Sequence, residues 1–158
     1  AVEKGVHETA TGGVFAGYEL TDCEVVLYDG KHHPVDSSEM AFKLAASQAL
    51  KEAITSAGPQ LLEPVMTIRV SAPEANAGDV VSDLNTKRAK IHGINPDGGT
   101  SVIEAEVPLA EVQRYASDLR SITQGRATFE LAFDHYGEVP GNIAQKVIAE
   151  HQANAASH

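Results

Sequence analysis

Between Met66 and Phe133 the hydrophobic pattern switches repeatedly between a period of two and a helical period, and that order limits the fold more than any other feature of the chain. Met66, Ile68 and Val70 alternate, as in a strand with one buried face. Ala77, Val80, Val81 and Leu84 then recur at helical spacing towards Arg88. Lys90 to Ile94 reads as a second strand. The turn cluster Asn95-Pro96-Asp97-Gly98-Gly99 separates it from a third, where Ile103, Ala105 and Val107 alternate with Glu104 and Glu106. Leu109, Val112, Ala116 and Leu119 predict a second helix closed by Gly125, and Ala127, Phe129, Leu131 and Phe133 predict the last strand. The order βαββαβ is that of a ferredoxin-like split βαβ unit. The expected class is α+β: an incomplete βα segment followed by a ferredoxin-like βαββαβ domain.

The first part of the chain is less repetitive. Val2 to Thr11 reads as a helix ended by Gly12 and Gly13. Thr21 to Tyr28 alternates, with Cys23, Val25 and Leu27 on one face, and predicts a half-buried strand ending at the Asp29-Gly30 turn. A strong helix follows. Asp36 and Glu39 have capping-box spacing, with Asp36 as the N-cap. Phe42, Ala46, Ala49, Leu50, Ala53 and Ile54 make its apolar stripe, and Gly58-Pro59 stops it. Leu61-Leu62-Glu63-Pro64 looks like a junction. A short helix from about Asn142 to His151 and a polar tail complete the pattern.

Aromatic residues make up only 5% of the chain and there is no Trp, so the core must be built from Val, Ile, Leu and Ala. No apolar run is long enough to cross a bilayer. A lone cysteine, Cys23, cannot form an internal disulfide and fits a reducing cytoplasm. A formal net charge of −10 argues against a general nucleic-acid binder. The distribution moderates this: residues 1–64 hold 4 basic and 10 acidic side chains, residues 65–158 hold 8 and 12, and the later basic residues are clustered. A local patch of that kind can bind RNA despite an acidic whole.

The chain has no G-x-x-x-x-G-K-[ST] loop and no G-x-G-x-x-G, so nothing is expected to cradle a nucleotide phosphate. It has no C-x-x-C and no H-E-x-x-H. Cys23 falls on the expected buried face and reads as core packing. Lys31-His32-His33 is the sharpest local cluster. Adjacent histidines rarely converge on one ion, and no acidic or Cys partner has ligand spacing, so no metal is expected there. The remaining readings are a solvated loop, or a tip that presents an imidazole to RNA or to a backbone group. Ser37 and Ser38 have no spaced base, and helix capping explains that segment better than nucleophilic chemistry. Lys87, Arg88 and Lys90 cluster where a helix ends and a strand begins. Interaction with the helix C-terminus explains them at least as well as phosphate contact. Asp118 and Arg120 lie two apart on a helix and do not face each other, which leaves Arg120 for solvent or a partner.

Several words of the sequence resemble elongation factor G of bacteria, in the order of its C-terminal domains IV and V. They are Ala1-Val2-Glu3-Lys4-Gly5, Leu27-Tyr28-Asp29-Gly30, Val35-Asp36-Ser37-Ser38-Glu39-Met40-Ala41-Phe42-Lys43, Leu61-Leu62-Glu63-Pro64, Tyr115-Ala116-Ser117-Asp118-Leu119-Arg120-Ser121, Thr123-Gln124-Gly125-Arg126 and Phe133-Asp134-His135-Tyr136. The resemblance implies part of domain IV over residues 1–63, domain V over 64–138, and a C-terminal helix and tail over 139–158. It implies a tip loop, Lys31, His32 and His33, that reaches the decoding centre during translocation of tRNA and mRNA. It also implies rRNA contacts at Lys87, Arg88, Lys90, Arg120 and Arg126. GTP and Mg²⁺ would belong to other domains of the parent factor, so this part would not itself be an enzyme. The sequence departs from the family at Lys87-Arg88-Ala89-Lys90, at Gln113-Arg114 and at Pro34, as factor G-like paralogues do.

The leading expectation is therefore a ribosome-binding module of a cytoplasmic translational GTPase, acting with the ribosome, its rRNA and the parent's other domains, and not with a membrane. The alternatives are a module of a paralogue with a recycling or regulatory role, and a stand-alone ferredoxin-like ligand-binding domain. One further expectation follows from the strand Thr21 to Tyr28. If its neighbours lie upstream, its free edge predicts pairing with a second copy, as a homodimer.

Overall fold

A computed structural model of the protein describes residues 1–157, and these divide into two compact units: residues 1–61 with those from 140 onward, and residues 62–139.

The second unit is built on four antiparallel strands, β1 (Leu62–Pro73), β2 (Lys90–Asp97), β3 (Thr100–Pro108) and β4 (Thr128–Glu138), in the order β2-β3-β1-β4. Helix α3 (Ala77–Thr86) connects β1 to β2, and β3 lies between those strands, which makes the split βαβ arrangement. Helix α4 (Tyr115–Thr123) connects β3 to β4. The α+β class and the ferredoxin-like order expected from the periodicity are both present.

The alternation of apolar residues becomes one buried face. Ile68, Val70 and Ala72 of β1 pack with Ile103, Ala105 and Val107 of β3, beneath Val80 and Leu84 of α3 and Tyr115 and Leu119 of α4. Each fully buried large side chain contributes about 1.5–3 kcal/mol relative to exposure. Tyr115 meets Phe129 edge-on in this core, ring centroids 5.1 Å apart, whereas Tyr18, Tyr28, Phe133 and Tyr136 are exposed. The other face of the sheet carries Thr67, Arg69, Glu104 and Glu106.

Two irregularities interrupt the ladders. On β4 the pairing passes from Val65↔His135 to Met66↔Phe133, leaving Asp134 as an extra residue. On β2 it passes from Ile91↔Ala105 to Gly93↔Glu104, leaving His92 extra. A bulge of this kind re-aims the side chains beside it.

The first unit contains α1 (Val2–Gly12), α2 (Glu39–Ala57) and α5 (Gly141–Ala156). Helices α1 and α2 meet at small residues. A Cβ on Gly5 would lie 2.4 Å from the Lys43 carbonyl oxygen, so only glycine permits this approach. One turn on, the Thr9 hydroxyl donates to the Gly5 carbonyl and is hydrogen-bonded to the Ser47 hydroxyl, each at 2.7 Å. Of the predicted α2 stripe, Ala46 and Leu50 are buried and Phe42 and Ile54 half-buried, whereas Ala49 and Ala53 are exposed. Gly58 ends α2 in the left-handed conformation, φ 74°. The tail helix α5 is longer than the Asn142–His151 expected, and its His151 ring lies against Gly17.

Three expectations for this unit are corrected. No strand forms over Thr21 to Tyr28: all its residues are exposed and none pairs in a ladder. Alternation names the side chains that would share a face, but a strand needs hydrogen bonds from a neighbour, and the regular elements of this unit are helices. Cys23 is accordingly exposed instead of core, and the free strand edge on which the homodimer rested is not there. The N-cap of α2 is Ser38, not Asp36: Ser38 Oγ accepts from the Ala41 N–H at 3.0 Å. In the second unit, the predicted helix from Leu109 begins as a separate 3₁₀ turn, Leu109–Glu111, before α4.

Candidate functional site

The loop before α2 is held by its own side chains. The His33 backbone N–H donates to Ser37 Oγ at 2.6 Å, and the Ser37 N–H returns a bond to the His33 carbonyl at 2.9 Å. Asp36 Oδ2 lies 3.3 Å from His33 Nδ1. Ser37 and Asp36, read from sequence as capping residues, instead shape the loop that carries His33. His32 stacks towards Phe42 with ring centroids 6.2 Å apart. Lys31, His32 and His33 are all exposed. The arrangement presents two imidazoles and an ammonium at the entry to a capped helix, with one imidazole beside a carboxylate.

The basic residues of the second unit separate into two groups. Lys87 and Arg88 are turned into the protein. Lys87 Nζ bridges Asp83 at 3.4 Å and Asp118 at 3.0 Å, which joins the end of α3 to α4. Burial works to lower the Lys87 pKa, but the bonds to Asp118 and Asp83 outweigh it and leave it raised. Arg88 grips Glu63 with two bonds, 2.7 and 3.0 Å, and donates to Glu111 at 2.9 Å. The Glu63 hydrogen bonds, opposed by burial and aided by Glu111, raise its pKa, so its charge is permanent. This residue sits at φ 59°, an uncommon conformation for a side chain with a Cβ.

Lys90, Arg120 and Arg126 are exposed. Arg126 donates to the Thr123 carbonyl at 3.2 Å and to Gln124 Oε1 at 3.0 Å, which holds its guanidinium over the end of α4. Arg120 is separated from Asp118, whose carboxylate goes to Lys87. Sequence reasoning missed the carboxylate partners Glu63, Glu111, Asp83 and Asp118. Only the i,i+4 pair of Asp83 and Lys87 had a local signal.

No helix of the described residues is long and apolar enough to cross a membrane. The fold defines a two-unit α+β module. The chain matches the family model described as "Elongation factor G, domain IV" over residues 1–58 and that of "Elongation factor G C-terminus" over residues 60–147. It belongs to the elongation factor G family. It is also similar to a protein of known crystal structure from Thermus thermophilus, with 43% identity and a TM-score of 0.80 over 96% of this chain and 23% of that one. The chain thus spans less than a quarter of that relative's length, and the GTPase domain is not among the matched segments.

Proposed function

We propose that this chain is the ribosome-binding C-terminal module of an elongation factor G-type GTPase, acting in the cytoplasm during translocation of tRNA and mRNA. The observation that carries the reading is the ordered match to domain IV and then the C-terminus along the chain. The Lys31–His33 loop is the part that faces the decoding centre. Exposed Lys90, Arg120 and Arg126 take phosphates of rRNA, while Lys87 and Arg88 are bound to the protein's own carboxylates. GTP and Mg²⁺ act in other domains of the parent. The changes at Pro34, Gln113-Arg114 and Lys87-Arg88-Ala89-Lys90 favour a second reading within the same family, a paralogue with a recycling or regulatory role.

Co-sedimentation with ribosomes at rising salt tests the binding. The chain is expected to pellet with ribosomes at low salt and to be released as salt rises. Failure to pellet at any salt refutes ribosome binding. In the intact parent, His33→Ala is expected to slow translocation more than it weakens ribosome binding, because a group acting late affects rate more than encounter. An unchanged single-turnover translocation rate would refute the role given to His33.

A further inference from the structure

The open face of the sheet in the second unit gathers one imidazole and two carboxylates from two strands, with a second imidazole, from a third strand, against one of the carboxylates. Glu106 of β3 and Asp134 and His135 of β4 each place a ligand atom within 4.8 Å of the others. From β2, His92 Nε2 reaches Glu106 Oε2 at 3.4 Å. His135 Nδ1 lies 2.5 Å from Asp134 Oδ2, and the Thr67 hydroxyl donates to Asp134 Oδ1 at 3.4 Å.

The bulges create this grouping. In a regular strand the side chains of residues 134 and 135 would point to opposite faces. The extra residue in β4 is Asp134, and it lets both reach the same neighbour. On β2 the extra residue is His92, which is thereby aimed at Glu106 instead of following the ladder.

We propose that His92, Glu106, Asp134 and His135 bind a divalent metal ion of the zinc class. Ligand atoms about 2.0–2.1 Å from a tetrahedral zinc ion lie about 3.3 Å apart. The His92–Glu106 separation of 3.4 Å already has that value. The His135–Asp134 contact must open by somewhat less than about 1 Å, and the separations to Glu106, within 4.8 Å, must settle to the same value, changes within reach of half-exposed side chains. Two imidazoles with two carboxylates favour zinc, nickel or cobalt over magnesium or calcium, which prefer oxygen alone. This inference does not depend on ribosome binding.

Calorimetric titration of the chain, freed of any affinity tag, with Zn²⁺ and separately with Mg²⁺ tests it, together with NMR of the imidazole nitrogens. One zinc ion per chain is expected, with the His92 and His135 resonances shifting and those of His32 and His33 unmoved. His92→Gln combined with His135→Gln should weaken zinc binding by roughly 10- to 100-fold or more, with the amide spectrum of the buried core preserved. His32→Gln with His33→Gln should leave it unchanged. The proposal is overturned by absence of saturable zinc binding, by equal affinity for magnesium, or by binding that follows His32 and His33. The imidazole shifts of the unaltered chain decide the matter even if the double variant folds poorly.

Discussion

Arg88→Ala separates the two roles open to this basic residue. Its guanidinium makes three hydrogen bonds, two to Glu63 at the start of β1 and one to Glu111 in the turn after β3. The side chains of Arg88, Glu63 and Glu111 are 25%, 12% and 34% exposed, so the group is neither a surface bridge nor a buried one. Exposed pairs contribute about 0–1 kcal/mol, and breaking buried ones costs about 3–5 kcal/mol. The partial burial and bidentate geometry place the loss at about 2–3 kcal/mol. Backbone conformation does not add to it, because arginine and alanine share the same strain at φ 59°; glycine alone relieves about 1–2 kcal/mol of it. Arg88→Gly should therefore be the milder change by about 1 kcal/mol. Urea unfolding followed on amides of β1 and β3 by NMR measures both variants and excludes signals from the first unit. A loss below about 0.5 kcal/mol for Arg88→Ala, together with a shallower salt dependence of ribosome binding, would refute the structural assignment.

Other expectations follow from the same geometry. Gly5→Ala forces a methyl group against the Lys43 carbonyl and should cost about 1–3 kcal/mol, seen as lost hydrogen-exchange protection in α1 and α2 but not in β1 to β4; equal protection would mean the helices are not closely packed. Burial, then the charges of Asp83 and Asp118, raise the Tyr115 pKa above its ordinary 10.0. The unfolded chain ionises first, so stability present below pH 10.0 is lost as pH rises towards the folded value. Tyr115→Phe should remove that part of the alkaline loss, and identical profiles above pH 10.0 would contradict the assignment. Leu119→Ala should cost about 2–5 kcal/mol in unfolding by denaturant, since Leu119 is almost wholly buried in the second unit. Neutralising Lys90, Arg120 and Arg126 together should lower the magnitude of the salt slope of ribosome binding by about one for each phosphate no longer neutralised, and an unchanged slope would move the RNA-binding surface elsewhere.

Much of this protein was decided locally. Alternation in β1 and β3 and helical spacing in α3 name side chains that are buried, and with Leu119 of α4 they specify a split βαβ core, although Ala116 and, beside the bulge in β4, Phe133 are exposed against expectation. Gly58 and the segment around Ser38 bound α2 through backbone preferences that need no distant partner. Other features were set by tertiary structure. Thr21 to Tyr28 alternates as a strand does, yet a ladder requires a neighbour that alternation cannot supply. Lys87, Arg88 and Lys90 look equivalent along the chain, but folding brings Glu63, Glu111 and Asp118 to the first two and leaves the third exposed, because Coulomb interactions depend on distance in space and not on sequence separation. The grouping of Glu106 with Asp134 and His135, and the contact of His92 with Glu106, go with one extra residue in each of two strands, a property of register between strands that neither strand carries by itself.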